Sequence, residues 1–289
     1  MSTAVSHHWS DQPEIKLGAK EFGYISSLVY DRCGIVLGDH KRDMVCTRLT
    51  RRLRSLGLPS FKDYCDLVQG PDGEREIGDL INSITTNLTK FFRESHHFDH
   101  LRDVVLREVR AASARNGRPR LRIWSAGCSS GEEPYSIAMT VLEAVPEIAR
   151  WDARILATDI DTTILARAVA GLYPASDLGE MPKALQTRHL VQHEGAPDRV
   201  QIADAPRRLI TFKQLNLMGK WPLKGPFDAI FCRNVMIYFD APSKAALVER
   251  FAGLLKPGGY LFIGHSESLL TQQTAFKLKG RTIYQKSSS

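Results

Sequence analysis

The chain has 289 residues, of which 43% are hydrophobic and 25% charged, and its formal net charge is +7. These proportions are those of ordinary globular proteins, exclude extensive disorder and favour two domains. No apolar run reaches the ~18 residues that span a bilayer, and residues 1–17 form a polar tail without the apolar centre of a secretory signal. The positive balance suits an acidic protein surface, a polyanion or an anionic membrane, or serves solubility alone.

The five cysteines form no C-x-x-C pair, and their number is odd. This pattern favours free thiols in a reducing compartment over a disulfide framework or a zinc site. We therefore expect a cytoplasmic protein with no metal centre. Cys128 lies in a glycine-containing loop and no motif links a base to it, so we interpret it as a small loop residue and not as a nucleophile.

Residues 18–92 have the pattern of a helical domain. Phe22, Ile25 and Val29 recur at helical spacing, and Gly34 ends this first run. Further helices are predicted over residues 40–56, after the N-cap Ser60, around residues 77–84 and from about Ser95. On the last of these, His96 and His97 are neighbours and do not share one face, so we expect one of them in the core.

The second predicted helix carries a basic group beside its apolar face. The group consists of Lys41, Arg48, Arg51 and Arg52. A charged helix face of this kind is usually solvated, but it can also dock on an acidic partner.

After the polar stretch 115–120, short apolar strands alternate with helices. Strands are predicted at residues 121–126, 154–158, 210–213, 227–232, 260–264 and 282–284, and helices from about residue 133 and over residues 242–255. This alternation indicates a Rossmann-like domain over residues 93–289, with a mostly parallel sheet covered on both faces. Residues 172–208 are too long for a βα loop and contain strand-like pieces, so we predict an inserted subdomain there.

Polar residues follow the predicted strands, where ligands bind in open α/β sheets. The loop after the first strand runs from Gly127 to Glu133 and matches neither the dinucleotide fingerprint nor a P-loop, because acidic residues stand where a lysine would be needed. A cationic or hydroxyl-rich ligand suits this loop better than a phosphate. Asp159, which ends the second strand, could accept hydrogen bonds from ribose hydroxyls. Glu132 is interpreted as a charge that complements the helix dipole.

Several long motifs, in order, closely resemble the CheR family of chemotaxis receptor glutamate methyltransferases. They are D-H-K-R-D-M-V from Asp39, N-L-T-x-F-F-R-E from Asn87 followed by H-H-F, W-S-A-x-x-S-x-G-E-E-P-Y-S from Trp124, I-L-A-T-D-I-D from Ile155, F-D-A-I-F-C-R-N-V-M-I-Y-F from Phe227 and L-K-P-G-G-Y-L-F-I-G-H-S-E from Leu255. The resemblance spans residues 20 to 285.

The resemblance implies an α/β fold in which a small all-helical N-terminal domain precedes a Rossmann-like methyltransferase domain with an inserted small β-subdomain. It implies an enzyme that transfers a methyl group from S-adenosylmethionine to receptor glutamates, leaving glutamyl methyl esters and S-adenosylhomocysteine. It assigns the cofactor to residues in the loops and in the inter-domain segment: Asn87, Thr89, Arg93, Glu133, Asp159, Asn216, Leu217, Arg233 and Asn234. Arg93 and Tyr238 would lie nearest the transferred methyl.

The implied partner is the cytoplasmic helical bundle of a chemoreceptor. Lys41, Arg48, Arg51 and Arg52 would face it, and the subdomain at 172–208 would either bind a receptor C-terminal peptide or act as a structural lid. We expect a monomer that neither binds nucleic acid nor inserts into a membrane.

Two other functions fit parts of the pattern. A nucleic-acid methyltransferase would explain the positive charge, but Arg233-Asn234-Val235-Met236 replaces the Asn/Asp-Pro-Pro-aromatic motif of the amino-methylating kind, and no Pro-Cys nucleophile occurs there. A non-enzymatic module could sense the cofactor in the cleft, but the full set of cleft residues favours an enzyme.

Overall fold

A computed structural model describes residues 15–71, 73–116, 119–179, 181–269 and 275–288. The chain forms two compact units, of which the first comprises the described residues up to Asp31 together with Leu37–Ile84, and the second comprises Arg32–Val36 and the chain from Thr85 onward. The division lies at Ile84, eight residues before the predicted boundary at residue 92. The physical reason is that Phe91 is buried in the core of the second unit. Residues 1–14 of the predicted tail lie outside the described residues.

The first unit is helical, as predicted. Ser60 caps its third helix by accepting a hydrogen bond from the Asp63 amide, and Leu49 and Leu53 on the second helix are fully buried. A 3-10 turn over Asp39–Lys41 leads into the second helix. The helices are α1 (Ala19–Cys33, whose last two residues belong to the second unit), α2 (Arg42–Leu56), α3 (Phe61–Gln69) and α4 (Gly73–Ile84).

The second unit contains a seven-stranded sheet with helices between its strands. Its helices are α5 (His96–His100), which continues through a π-helical turn (Leu101–Val105) into α6 (Leu106–Asn116), then α7 (Glu132–Ala144), α8 (Thr162–Ala170), α9 (Lys183–His189), α10 (Asp204–Leu209) and α11 (Ala241–Leu254). The strands are β1 (Arg120–Ala126), β2 (Asp152–Asp159), β3 (Leu172–Pro174), β4 (Leu190–Gln192), β5 (Arg199–Ile202), β6 (Ile210–Gln214), β7 (Phe227–Cys232), β8 (Leu255–Ile263), β9 (Phe276–Gly280) and β10 (Ile283–Lys286).

The order of the large sheet is β6-β2-β1-β7-β8-β10-β9. The first five strands are parallel, and β10 runs antiparallel to both β8 and β9. Alternate side chains of the central strands, such as Ile123 and Trp124 of β1, enter two separate cores. This is the arrangement expected when helices cover both faces of a parallel sheet.

The sequence-based assignment was wrong at the C-terminal end of this sheet. β8 begins at Leu255 and not at the predicted residue 260, so Pro257 and Gly258 lie inside the strand. β9 was not predicted, because four of its five residues, including Leu278, are exposed. The strand therefore lacks the alternation of apolar and polar residues by which a half-buried strand is recognised.

The inserted subdomain is confirmed. β3, β5 and β4 form a separate three-stranded antiparallel sheet, and α9 and α10 accompany it. Tyr173 of β3 and Ile202 of β5 pack with Tyr135 and Met139 of α7. The subdomain therefore shares a core with α7, the helix that connects β1 to β2. Among the described residues, no helix combines the length and hydropathy that crossing a membrane requires.

Candidate active site

The carboxyl ends of β1, β2, β6, β7 and β8 lie at the same edge of the sheet. The loops that leave these strands contact one another and hold most of the predicted site residues of the second unit. This is the edge at which open α/β sheets bind their ligands.

Gly127 begins the loop after β1 and has a positive φ of 80°. A Cβ atom at this position would lie 2.4 Å from Cγ2 of Val235, in the loop after β7. The amides of Gly127 and Cys128 donate to the Thr158 carbonyl at 2.8 and 2.9 Å. Only glycine fits this position, because both the backbone conformation and the close approach of Val235 exclude a side chain.

Glu133, the second residue of α7, places a carboxylate that is only 12% exposed behind this loop. Its Oε1 accepts a hydrogen bond of 2.6 Å from the Ser125 hydroxyl, and its Oε2 lies 3.4 Å from Nη1 of Arg233. Burial raises the pKa of Glu133, and the Arg233 cation opposes that shift. The site therefore contains a carboxylate whose charge is only partly compensated, which suits a cationic ligand.

Arg233 lies between two carboxylates. Its guanidinium donates to the Arg93 carbonyl, lies 3.8 Å from Oε2 of Glu94 and is positioned over the Phe98 ring at 5.6 Å. Burial lowers the pKa of Arg233, and the neighbouring carboxylates oppose the shift. Arg233 therefore links the loop after β7 to the segment that carries Arg93.

Asp159 joins two loops. Its Oδ2 accepts the Ser129 amide at 2.8 Å, and its Oδ1 accepts the Asp161 amide at 3.0 Å. Burial raises its pKa, and these two amides oppose the shift. The predicted ribose acceptor thus also fastens the loop after β1 to the loop after β2.

Asp161 is a site residue that sequence reasoning missed. Its Oδ2 accepts from the Thr85 hydroxyl and the Asn87 amide group, both at 2.8 Å, while its Oδ1 caps α8 through the amides of Thr163 and Ile164. An Asp before Thr-Thr at a helix start is an N-cap signal. That signal could have predicted the cap, but not the contact with Asn87, which is distant in sequence.

Arg93 is held by its own segment. Its Nη1 donates to the Leu88 carbonyl at 3.2 Å, and Thr89 is half-buried between these two residues in the chain. Ser129 donates to the Asn87 carbonyl at 3.0 Å. Asn87, Thr89 and Arg93 therefore belong to a segment that the loops after β1 and β2 hold in place.

Glu267 is the second residue that sequence reasoning left unassigned. This buried carboxylate accepts three backbone amides, from Gly264 at 2.5 Å, Asn234 at 2.9 Å and Ile237 at 3.2 Å. Asn234 has a positive φ of 58°, and Tyr238 ends the 3-10 turn in which Ile237 lies. Glu267 thus fixes the loop that carries Arg233, Asn234 and Tyr238.

Asn216 and Leu217 lie in the loop after β6. The Asn216 side chain accepts from the Met218 amide at 2.9 Å and donates to the Arg32 carbonyl at 2.5 Å, while Leu217 is buried. Arg250 of α11, which was not predicted, donates to the carbonyls of Leu217 and Gly219, each at 2.6 Å. The backbone of this loop is therefore held by a distant arginine.

Two members of the basic group, Arg48 and Arg52, make contacts within the protein that the sequence did not predict. Arg52 forms a bidentate pair with Glu76 at 2.9 and 2.6 Å and also contacts Asp79, and Arg48 donates to the Ile84 carbonyl at 2.5 Å. Arg51 is exposed and Lys41 is half-buried. The partner-binding assignment of Arg52 overlooked its structural role, because Glu76 and Asp79 lie more than twenty positions further along the chain.

Burial also bears on three smaller interpretations. His97 is fully buried with its Nε2 3.0 Å from the Thr282 hydroxyl, as expected for a core histidine, and Cys128 is a buried thiol whose pKa is raised by burial. Glu132 lies in the first turn of α7, as a helix-start charge requires, and it is also buried and accepts a hydrogen bond from the Ser130 hydroxyl.

The rings of His96 and His97 lie close together, although the two residues do not share one face of the helix. Their ring centroids are 4.2 Å apart, and with Glu94 they bring three potential metal ligands within 4.8 Å of one another. We assign no metal to this cluster, because the Arg233 cation lies 3.8 Å from Oε2 of Glu94 and would repel it.

The carboxylates and arginines of this site suit a cationic ligand that carries a sugar and an amino-acid group. Glu133 and Asp159 are carboxylates, a chemistry that suits ammonium and hydroxyl groups, and the arginines nearby are paired with carboxylates or carbonyls and so do not form a phosphate cradle. A sulfonium nucleoside such as S-adenosylmethionine meets these requirements.

Comparison with known proteins identifies the family and agrees with this fold and cofactor. The family described as "CheR methyltransferase, SAM binding domain" matches residues 87–285, and "CheR methyltransferase, all-alpha domain" matches residues 20–85. A "Probable chemotaxis protein methyltransferase" of Rhizobium etli is 49% identical over 83% of this chain and 89% of that protein. The "Chemotaxis protein methyltransferase" of Escherichia coli is 45% identical over 93% of this chain and 92% of that protein.

The fold, the loops and the family match together define an S-adenosylmethionine-dependent methyltransferase. More particularly, the chain belongs to the CheR methyltransferase family, and both domains of that family are present.

Proposed function

We propose that this enzyme methylates glutamate side chains of bacterial chemoreceptors, forming glutamyl methyl esters and S-adenosylhomocysteine during chemotactic adaptation. The observation that carries the proposal is the match of both domains to the CheR methyltransferase family, and Arg93 lies at the ligand-binding edge of the sheet, where Arg233 donates to its carbonyl. The relatives named above carry the chemotaxis function in their names.

The cofactor would be held by the residues assigned above from the family resemblance. Glu133 would accept the cofactor's ammonium or neighbouring groups and Asp159 its ribose hydroxyls, while Asn216 and Leu217 would flank the adenine. Asn87, Thr89, Arg233 and Asn234 would complete the cleft. When bound, the cofactor supplies an activated methyl group on a sulfonium.

Little acid–base chemistry is required of the protein. A glutamate has a pKa of about 4.3 and is ionised at neutral pH, so no strong base is needed. The requirements are in-line positioning and partial removal of water from the carboxylate. Arg93, whose guanidinium is anchored at the Leu88 carbonyl, would hold the substrate carboxylate, and the Tyr238 hydroxyl would donate a hydrogen bond to it.

The partner would be the cytoplasmic helical bundle of a receptor, met in the cytoplasm by a monomeric enzyme. Arg51 is the exposed member of the basic group on α2 and is the residue best suited to contact acidic receptor helices. The three-stranded sheet of the subdomain could bind a receptor C-terminal peptide along an edge strand such as β4.

The test is radiolabelled methyl transfer from S-adenosylmethionine to receptor-rich membranes, followed by mild alkali. Alkali-labile label on receptor bands is expected, and it should be lost when Arg93→Ala is used with cofactor at saturating concentration. Alkali-stable label, or no label from an enzyme that binds the cofactor, would contradict the proposed substrate.

A further inference from the structure

Five residues at the end of α1 and just after it belong structurally to the methyltransferase domain. Of the described residues before Thr85, only Arg32–Val36 are part of the second unit. The family model of the all-alpha domain covers residues 20–85 and so includes them, while the model of the SAM-binding domain begins at residue 87. We call Arg32–Val36 the strap, because it lies against two loops of the ligand-binding edge.

The first of these loops follows β6 and carries Asn216 and Leu217, the residues proposed for the adenine. The Asn216 side chain donates to the Arg32 carbonyl at 2.5 Å. A Cβ atom on Gly34 would lie 2.7 Å from Cγ and 3.1 Å from Sδ of Met218. These separations are shorter than van der Waals contact, so the strap can lie this close to the loop only because residue 34 has no side chain.

The second loop contains the turn that ends in Tyr238. The Val36 amide donates to the Tyr238 carbonyl at 2.9 Å. Ile35 packs against the core cluster that includes Phe239, and a Cβ atom on Gly34 would lie 3.6 Å from Cδ1 of Phe239. One short piece of backbone therefore holds both loops.

The close approach distinguishes Gly34 from a glycine with the same backbone conformation. Gly34 directly follows α1 and Gly57 caps the end of α2, with φ angles of 72° and 68°. A Cβ atom on Gly57 would meet no other described atom within 4 Å, whereas one on Gly34 would overlap Met218. Positive φ is common at helix ends and is shared by both glycines, so it does not explain the contact with the loop.

We propose that the strap is a positioning element of the methyl-transfer site, with Gly34 and Val36 as its positioning residues. Gly34 sets the loop after β6 against the adenine end of the cofactor, and the Val36 amide sets the turn that carries Tyr238. The strap acts through these two loops and not on the reacting atoms. This inference rests on the proposed function for the roles of Asn216, Leu217 and Tyr238.

The first test is calorimetric titration of full-length Gly34→Ala with S-adenosylhomocysteine, with Gly57→Ala as the matched control. Both substitutions strain a backbone at positive φ, but only Gly34→Ala pushes on the loop after β6. Overpacking of this kind should weaken the affinity by roughly three- to tenfold. Gly57→Ala should remain within about twofold of wild type.

A double-mutant cycle with Met218 identifies the contact responsible. Met218→Ala removes the Cγ and Sδ atoms that the added Cβ would meet. Gly34→Ala should therefore cost less affinity in the Met218→Ala background than in wild type. Equal losses in the two backgrounds would contradict the contact.

The second test separates the turn of Tyr238 from the cofactor loop. Val36→Pro removes the amide that donates to the Tyr238 carbonyl, while Val36→Ala keeps it. With receptor-rich membranes and saturating S-adenosylmethionine, kcat of Val36→Pro should fall by roughly three- to tenfold. Its affinity for S-adenosylhomocysteine should stay within about twofold of wild type, and Val36→Ala should match wild type in both quantities.

The possible failures are distinguishable. An affinity that Gly34→Ala leaves unchanged, or that Gly57→Ala lowers equally, would overturn the role of the strap at the loop after β6. An unchanged kcat in Val36→Pro, or an equal loss in Val36→Ala, would overturn its role at Tyr238. If wild type binds S-adenosylhomocysteine but forms no receptor ester, the proposed function fails, and the affinities, which are measured without receptor, still decide whether the strap positions the cofactor loop.

Discussion

Individual carboxylates organise the ligand-binding edge of this sheet. Asp159 and Asp161 each accept backbone or side-chain donors from two segments, and Glu267 accepts three backbone amides. Carboxylates with several donors are strong, directional anchors in a buried setting. These residues act on the reaction through the groups that they position.

Replacing Glu267 with Gln should lower kcat more than cofactor affinity. A glutamine keeps one acceptor oxygen but turns an NH2 group toward backbone amides, so the turn that ends in Tyr238 loses part of its support. We expect kcat to fall roughly tenfold, and the dissociation constant of S-adenosylhomocysteine to change less. Glu249→Gln, at an exposed position of α11, is the control. Equal losses in kcat and affinity would contradict the positioning role.

Cofactor affinity should depend on the ionisation of Glu133. Because burial raises the pKa of this carboxyl, acidification protonates it sooner than an ordinary glutamate. The ionised form attracts the cationic cofactor, so affinity should fall as the pH drops through the raised pKa. Calorimetric titration from about pH 8 to pH 5 should show this decline in wild type. The Glu133→Gln variant should bind the cofactor more weakly and should lack the decline in affinity at low pH. If its affinity depends on pH as in wild type, Glu133 is not the group whose ionisation controls binding.

His97 should make the protein sensitive to acid. Burial lowers its pKa to about 2, whereas the unfolded chain titrates near 6.5. Between these values the unfolded state binds the additional proton, so the free energy of unfolding should fall as the pH drops below about 6.5. Denaturant melts of His97→Gln should show a weaker acid dependence than wild type, with exposed His265→Gln as the control. Identical acid dependence in all three proteins would contradict this explanation.

The longer helices and the buried strands could be predicted from the sequence, whereas the exposed strand β9 and the short helix α8 could not. α1 to α4 follow apolar spacing and an N-cap, and β7 is buried throughout. β9 is exposed on four of five positions, and α8 was not recognised although Asp161 caps it. The contacts of Asp161, Glu267 and Arg250 were beyond prediction, because a single sequence does not show which distant backbone groups one side chain will meet.

The loop after β6 should depend on Arg250 of α11. Arg250 donates to two carbonyls of that loop and its guanidinium lies 3.6 Å from the Trp221 ring centroid. Replacing Arg250 with Met removes both donors and should weaken cofactor binding several-fold, with little effect on kcat at saturation. Arg154→Met on β2, an exposed site, serves as the control. Cofactor affinity equal to that of wild type would contradict the role.

The neighbouring arginines Arg51 and Arg52 of α2 should behave differently. Arg51→Glu should raise KM for receptor without a change in cofactor affinity or stability, because this side chain is exposed. Arg52→Glu should lower the free energy of unfolding by about 1 to 3 kcal/mol, because it leaves the buried Glu76 carboxylate beside a like charge. Chemical denaturation and receptor titrations distinguish the two, and similar effects from both would contradict the assignment.

For the molecule as a whole, the proposed function depends on a carboxyl group of a receptor being the methyl acceptor. The fold class and the cofactor follow from the sheet order and the family match, whereas the acceptor rests on the proposal made above. One fold can host many unrelated functions, so the fold alone does not determine the acceptor.

The most direct measurement is tandem mass spectrometry of receptor peptides after reaction with wild-type enzyme and S-adenosylmethionine, with Glu133→Gln in parallel at limiting cofactor. We expect methyl esters on glutamate side chains of the receptor's cytoplasmic helices, removed by mild alkali and reduced with the variant. Methyl groups on lysine or arginine nitrogens, or on nucleic acid, would contradict the proposed function.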